Sequence, residues 1–77
     1  MTEADRVRWR CRRGLLELDL ILARFMERQY AGLDTEAREL FNELLEYPDN
    51  DLLDWALGKG VPPEPRYLRV VELLRST

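Results

Sequence analysis

The sequence predicts an all-α chain of five short helices, because apolar residues recur at helical spacing, glycines and prolines cut the chain into pieces, and no stretch alternates as a strand would. The first piece, residues 2–13, opens with Glu3 and Asp5 and closes with Arg12 and Arg13, the order that suits a helix dipole. Gly14 then stops or turns the chain. Residues 15–30 form the longest predicted helix, with Leu15, Leu18, Leu22, Phe25 and Met26 as its buried stripe. Leu16, Leu20, Ile21 and Ala23 widen that stripe until only Glu17, Arg24 and Arg28 remain polar, so this helix is expected to be central and covered on most sides. Gly32 ends it. Asp34 is placed to cap the third helix, whose apolar face is Ala37, Leu40, Phe41, Leu44 and Leu45, opposite an acidic face of Glu36, Glu39, Glu43 and Glu46. Pro48 breaks it, and Asp49 or Asn50 is expected to cap the fourth, in which Leu52, Leu53, Ala56 and Leu57 precede Gly58 and Gly60, with Trp55 beside them. Pro65 suits the first turn of the fifth, which buries Tyr67, Val70, Val71 and Leu74. Leu18, Leu22, Phe25, Leu40, Phe41, Leu44, Leu52 and Val71 are the expected core.

Seventy-seven residues are expected to form one domain, 1–77, with a thin core, since short chains bury a smaller share of their surface. A single cysteine, Cys11, excludes an internal disulfide and points to a reducing compartment, and no apolar run reaches the ~20 residues needed to insert into a membrane. Acids at Glu3 and Asp5 within the arginine-rich start argue against an organelle leader, so a bacterial cytoplasm is the expected location. With no histidine, and Ser76 as its one serine, the chain cannot build a Ser-His-Asp or Cys-His site or a zinc site. An enclosed small-molecule pocket of ~300 Å³ or more is not expected either. The chain reads as a non-enzyme.

Arg6, Arg8, Arg10, Arg12 and Arg13, interleaved with Trp9, form the one local basic cluster. As a phosphate-binding ridge it would make the chain a regulatory module, antitoxin-like or nucleic-acid-associated. A net charge of −3 and a pI near 4.9 oppose the long-range attraction that nucleic acid binding uses, so a solvated helix face is the favoured reading. Cys11 lies beside Arg10 and Arg12, which would activate a thiol, yet nothing nearby could resolve or deprotonate it. The acids of the third helix form a continuous ridge rather than converging ligands, and Asp49, Asp51 and Asp54 lack the glycine turn and closing glutamate of a calcium loop.

The segment Arg12-Arg13-Gly14-Leu15-Leu16-Glu17-Leu18-Asp19 admits two readings: Arg13 caps the first helix and Glu17 favours the start of the second, or the junction is a docking site. Spacing alone leaves both open. The segment resembles the RGxxE motif of the SdhE/YgfY family of assembly factors. Trp9 and Cys11 stand ahead of it in a W-x-C-R-R-G-x-x-E-L-D pattern, and Phe25, Tyr30 and Leu33 follow at the family's spacing. Leu44-Leu45-Glu46 with Asp49, Asp51, Leu52 and Trp55 resembles the family's second block. The departure is Gly58-Lys59-Gly60.

The resemblance implies a monomeric, chaperone-like helical domain that promotes flavinylation of the flavoprotein subunit of succinate dehydrogenase, fumarate reductase or both. It implies that Arg13, Gly14 and Glu17 line the docking surface, with Trp9, Arg12, Asp19, Glu46, Asp49 and Asp51 as further partner-binding residues. No cofactor is held stably by this chain, FAD belonging to the client, whose histidine accepts the flavin.

Overall fold

In a computed structural model, which describes residues 2–77, five helices form: α1 (Glu3–Arg10), α2 (Leu16–Arg28), α3 (Thr35–Leu44), α4 (Asp49–Ala56) and α5 (Leu68–Arg75). Short 3-10 turns at Tyr30–Gly32 and Pro65–Tyr67 lead into α3 and α5. No strand occurs among the described residues. The all-α class follows from the periodicity, since each helix turns its apolar stripe inward. Helices α2, α4 and α5 pack on one another, and α3 packs on α5.

The centre is Phe25 of α2 against Phe41 of α3, ring centroids 4.4 Å apart, with Tyr30 edge-on to Phe41 at 6.0 Å. Leu18, Leu22, Leu44, Leu52, Val70 and Val71 complete a fully buried layer, and Leu40 is also buried. A second aromatic cluster joins Trp55 and Tyr67 through Tyr47. Helix α1 is more peripheral, burying only Val7 along its length and Cys11 just past its end.

Local chemistry explains most boundaries. Thr2 accepts the Asp5 amide at 3.1 Å while the Asp5 carboxylate accepts the Thr2 amide, a reciprocal capping box. Asp34 caps α3 by accepting the Ala37 amide at 2.8 Å, as expected. Helix α4 closes with a Schellman motif: Gly58, at φ +78°, donates to the Trp55 carbonyl and Lys59 to the Asp54 carbonyl at 2.8 Å.

Four expectations are corrected. Helix α1 ends at Arg10, not Arg13, because the Arg13 and Gly14 amides are taken by Asp19 and cannot continue the helical ladder. Helix α2 runs from Leu16 to Arg28, and a 3-10 turn replaces its expected last residues. Neither Asp49 nor Asn50 caps α4: the N-cap is Pro48, and Asp49 is the first helical residue with its carboxylate turned to Arg13. Nor is α2 covered on most sides. Leu16 and Leu20 are 75% and 49% exposed, and with Ala23 they form an outer stripe that no other helix of this small chain reaches.

Candidate functional site: the arginine-glycine junction

Between α1 and α2 the chain passes through residues 11–15 in an irregular turn held from both sides. Arg13 is the hub. Its guanidinium donates from Nε to Asp49 at 2.7 Å, and from its two terminal nitrogens to the carbonyls of Leu45 and Tyr47. Leu45 is the C-cap of α3, where orphaned acceptors and the negative end of the helix dipole favour a cation, and Tyr47 lies in the turn that follows. Arg13 does cap a helix, then, but α3 rather than α1. Its side chain is only 17% exposed, so it has a structural role. Arg38 and Arg75 act alike elsewhere: Arg38 donates to the Tyr30 and Ala31 carbonyls, and Arg75 to those of Trp55 and Gly60.

The backbone of the junction is held by Asp19, one turn into α2. One carboxylate oxygen accepts the Arg13 amide at 2.9 Å and the other the Gly14 amide at 3.1 Å. Two successive amides turned to one side form a concave anion site, here filled from within the chain. Gly14 sits at φ +82°, a left-handed conformation that a side chain disfavours, although a Cβ there would meet no atom within 4 Å. The space over Gly14 is open.

Around this held turn lies an exposed apolar edge. Trp9 on α1 is 69% exposed, with the Arg12 guanidinium 5.4 Å from its ring centroid, a cation–π pair. Leu16 and Leu20 face outward from α2. Between the two helices opens a groove of about 510 Å³, lined by Cys11, Gly14, Leu20, Ala23 and Met26, with Arg8, Arg12 and Asp19 around it. The groove is open to solvent rather than enclosed, and it lies where α1 covers only part of α2. Cys11 is 5% exposed, and burial pushes its thiol up to about 11 despite the lowering influence of Arg13 and Arg10. A protonated, covered thiol is packing rather than a reactive centre.

Arg13, Gly14, Asp19 and Asp49 thus share one network, and Trp9 and Arg12 form a pair beside it. Glu17, in the first turn of α2, is exposed and forms no ion pair among the described residues. Glu46 and Asp51 are exposed and outside the network. Sequence reasoning missed Leu16, Leu20 and Ala23 as surface residues. The signal was present: an apolar arc wider than one buried stripe leaves a surplus face. The arginine cluster is also divided, since Arg10 is bonded to the Asn42 side chain at 2.8 Å and to its carbonyl, and Arg13 is turned inward. No group of three or more metal-binding side chains converges among the described residues, and no described helix is long and apolar enough to cross a membrane.

Residues 5–77 match the protein family described as "Flavinator of succinate dehydrogenase". The chain is 40% identical over 73 residues to the FAD assembly factor SdhE of Coxiella burnetii, covering 95% of this chain and 89% of the relative. It is 40% identical over 73 residues to the SdhE of Pseudomonas aeruginosa, covering 95% and 87%, and 44% identical over 71 residues to that of Shewanella oneidensis, covering 92% and 87%. The chain belongs to the flavinator family.

Proposed function

We propose that, as a flavinator-family member, this chain is an assembly factor that binds the flavoprotein subunit of succinate dehydrogenase, with fumarate reductase as a second client, and promotes covalent attachment of FAD. The observation that carries the docking surface is a coincidence of place. The RGxxE segment itself contains the exposed Leu16, and Trp9 before it and Leu20 after it are exposed large apolar side chains as well. Exposed apolar area rimmed by charge is what a protein partner covers. The contacting set on this reading is Trp9, Arg12, Gly14, Leu16, Glu17 and Leu20, with Arg13, Asp19 and Asp49 supporting them from behind.

The chain acts without catalysing a reaction. It has no histidine to accept a flavin, so the histidine is the client's and FAD is the client's cofactor. Its contribution is positional: holding the client's domains so that histidine and flavin methyl group meet in reactive geometry can supply several kcal/mol without a catalytic side chain from the assistant. On this reading it works in the bacterial cytoplasm as a monomer, as a single helical domain. Nucleic acid is not a partner, since Arg10 and Arg13 are committed to internal bonds and Arg6, Arg8 and Arg12 remain in an acidic molecule.

Glu17→Ala tests this reading. Loss of a charge-assisted interface contact of ~1.5 to 3 kcal/mol should weaken client affinity roughly tenfold to a hundredfold. Covalent flavin on the client, read by in-gel fluorescence, should fall accordingly while the melting temperature of the variant stays within a degree or two. Wild-type flavinylation across a titration of the variant would remove Glu17 from the interface. An unchanged result for Trp9→Ala and Leu16→Ser as well would move the docking surface elsewhere.

A further inference from the structure

We infer that Asp19 is a positioning residue: its carboxylate clasps the Arg13 and Gly14 amides, holding the junction in its docking shape, and does not itself contact the client. The inference rests on the docking role proposed for this junction and adds how its shape is maintained.

Both carboxylate oxygens of Asp19 are already engaged, one by each amide. The two amides precede α2, whereas Asp19 is its fourth residue, so the clasp closes a ring from the turn to the helix. Glu17 lies inside that ring. With the ring closed, the place of Glu17 relative to the bare face of Gly14 is set before any partner arrives. Arg13 then holds the ring to the rest of the molecule, since its guanidinium is bonded to Leu45, Tyr47 and Asp49. One residue is thus anchored by its backbone to α2 and by its side chain to the turn between α3 and α4. Without the clasp, the left-handed turn at Gly14 loses the acceptor that rewards it, and residues 11–15 become free to sample other conformations. Docking would then have to order them, and a partner's affinity falls by that cost.

Two variants and two readouts separate positioning from direct contact. In the free protein, Asp19→Ala should raise the hydrogen-exchange rates of the Arg13 and Gly14 amides by about tenfold or more, while core amides of α2 and α3 keep their protection. With the client and FAD, the same variant should need about tenfold more protein for half-maximal flavinylation, and should reach the wild-type plateau once saturating. Asp19→Asn retains one acceptor oxygen of equal shape and should lie between wild type and alanine in both readouts. Unchanged exchange at Arg13 and Gly14 in Asp19→Ala would show that the clasp does not hold the turn. Freed amides with an unshifted titration, alongside a shifted one for Glu17→Ala, would leave the docking role standing and overturn the positioning role. If Asp19→Asn is as damaging as alanine while its amides stay protected, the carboxylate charge is a direct client contact and positioning is again overturned. If neither Glu17→Ala nor Asp19→Ala shifts the titration, the docking role fails and takes the positioning role with it.

Discussion

Two junctions of this chain turn on a left-handed glycine beside an arginine that gathers one carbonyl at a helix end and another in the turn beyond it, and they do opposite things. At Gly58 the glycine completes α4, its amide and that of Lys59 returning to α4's own carbonyls while Arg75 binds those of Trp55 and Gly60. At Gly14 the helix has already ended at Arg10. The amide is held by a carboxylate from the next helix, and the arginine reaches away to α3. A Cβ on Gly58 would come to 4.0 Å from the Arg75 side chain, whereas one on Gly14 would meet nothing within that distance. The first arrangement closes a helix. The second leaves backbone exposed on a rigid support, which is what a close-docking partner needs.

The bluntest way to break this contrast is to remove the core on which both junctions hang. Phe41→Ala deletes a fully buried ring stacked on Phe25 and should cost ~3 to 5 kcal/mol, a large share of the stability of so small a domain. Thermal melts and flavinylation should fail together. A native-like melt would mean that the helices do not depend on this centre.

The arginines give a sharper comparison. Arg13→Ala and Arg75→Ala each strand two carbonyls, and each should lower stability by ~1.5 to 3 kcal/mol in denaturant titrations. Only Arg13→Ala should also weaken flavinylation per folded molecule. Equal functional loss in both would reduce the junction to a matter of stability.

Smallest in energy and most selective in function is the glycine pair. Placing a side chain in the left-handed region costs ~1 to 2 kcal/mol, so Gly14→Arg and Gly58→Arg should melt earlier by similar amounts. Flavinylation should disappear only in Gly14→Arg, whose side chain obstructs the approach of the client. Comparable activity of the two variants would show that nothing docks closely over Gly14.

How far the sequence disclosed this arrangement depended on the range of the interaction. Segment number, the Asp34 cap, the Gly58 stop and the buried faces of α3 and α5 were legible because each is decided within a few residues. The end of α1 was misplaced because what stops it is Asp19, several residues downstream, and no propensity at Arg12 or Arg13 signals that. The destination of Arg13 lies 32 to 36 residues away, at Leu45, Tyr47 and Asp49, and only the fold brings those groups to it. Leu16 and Leu20 were assigned inward because periodicity ranks faces by hydrophobicity, and on α2 nearly every face qualifies. Their exposure reflects a shortage of covering helices, a property of the whole chain.

The buried state of Cys11 bears on chemical selectivity. A flavin methyl carbon undergoing attachment is an electrophile, and any unprotonated imidazole, thiolate or amine beside it would compete with the intended acceptor. This chain offers no imidazole, and its one lysine, Lys59, lies beyond the far end of α4. Its one thiol is covered and, pushed up to about 11 by burial, stays neutral near pH 7. The docking surface proposed above therefore presents guanidinium, carboxylate, indole and aliphatic carbon, groups that would not compete with the client's acceptor for the flavin.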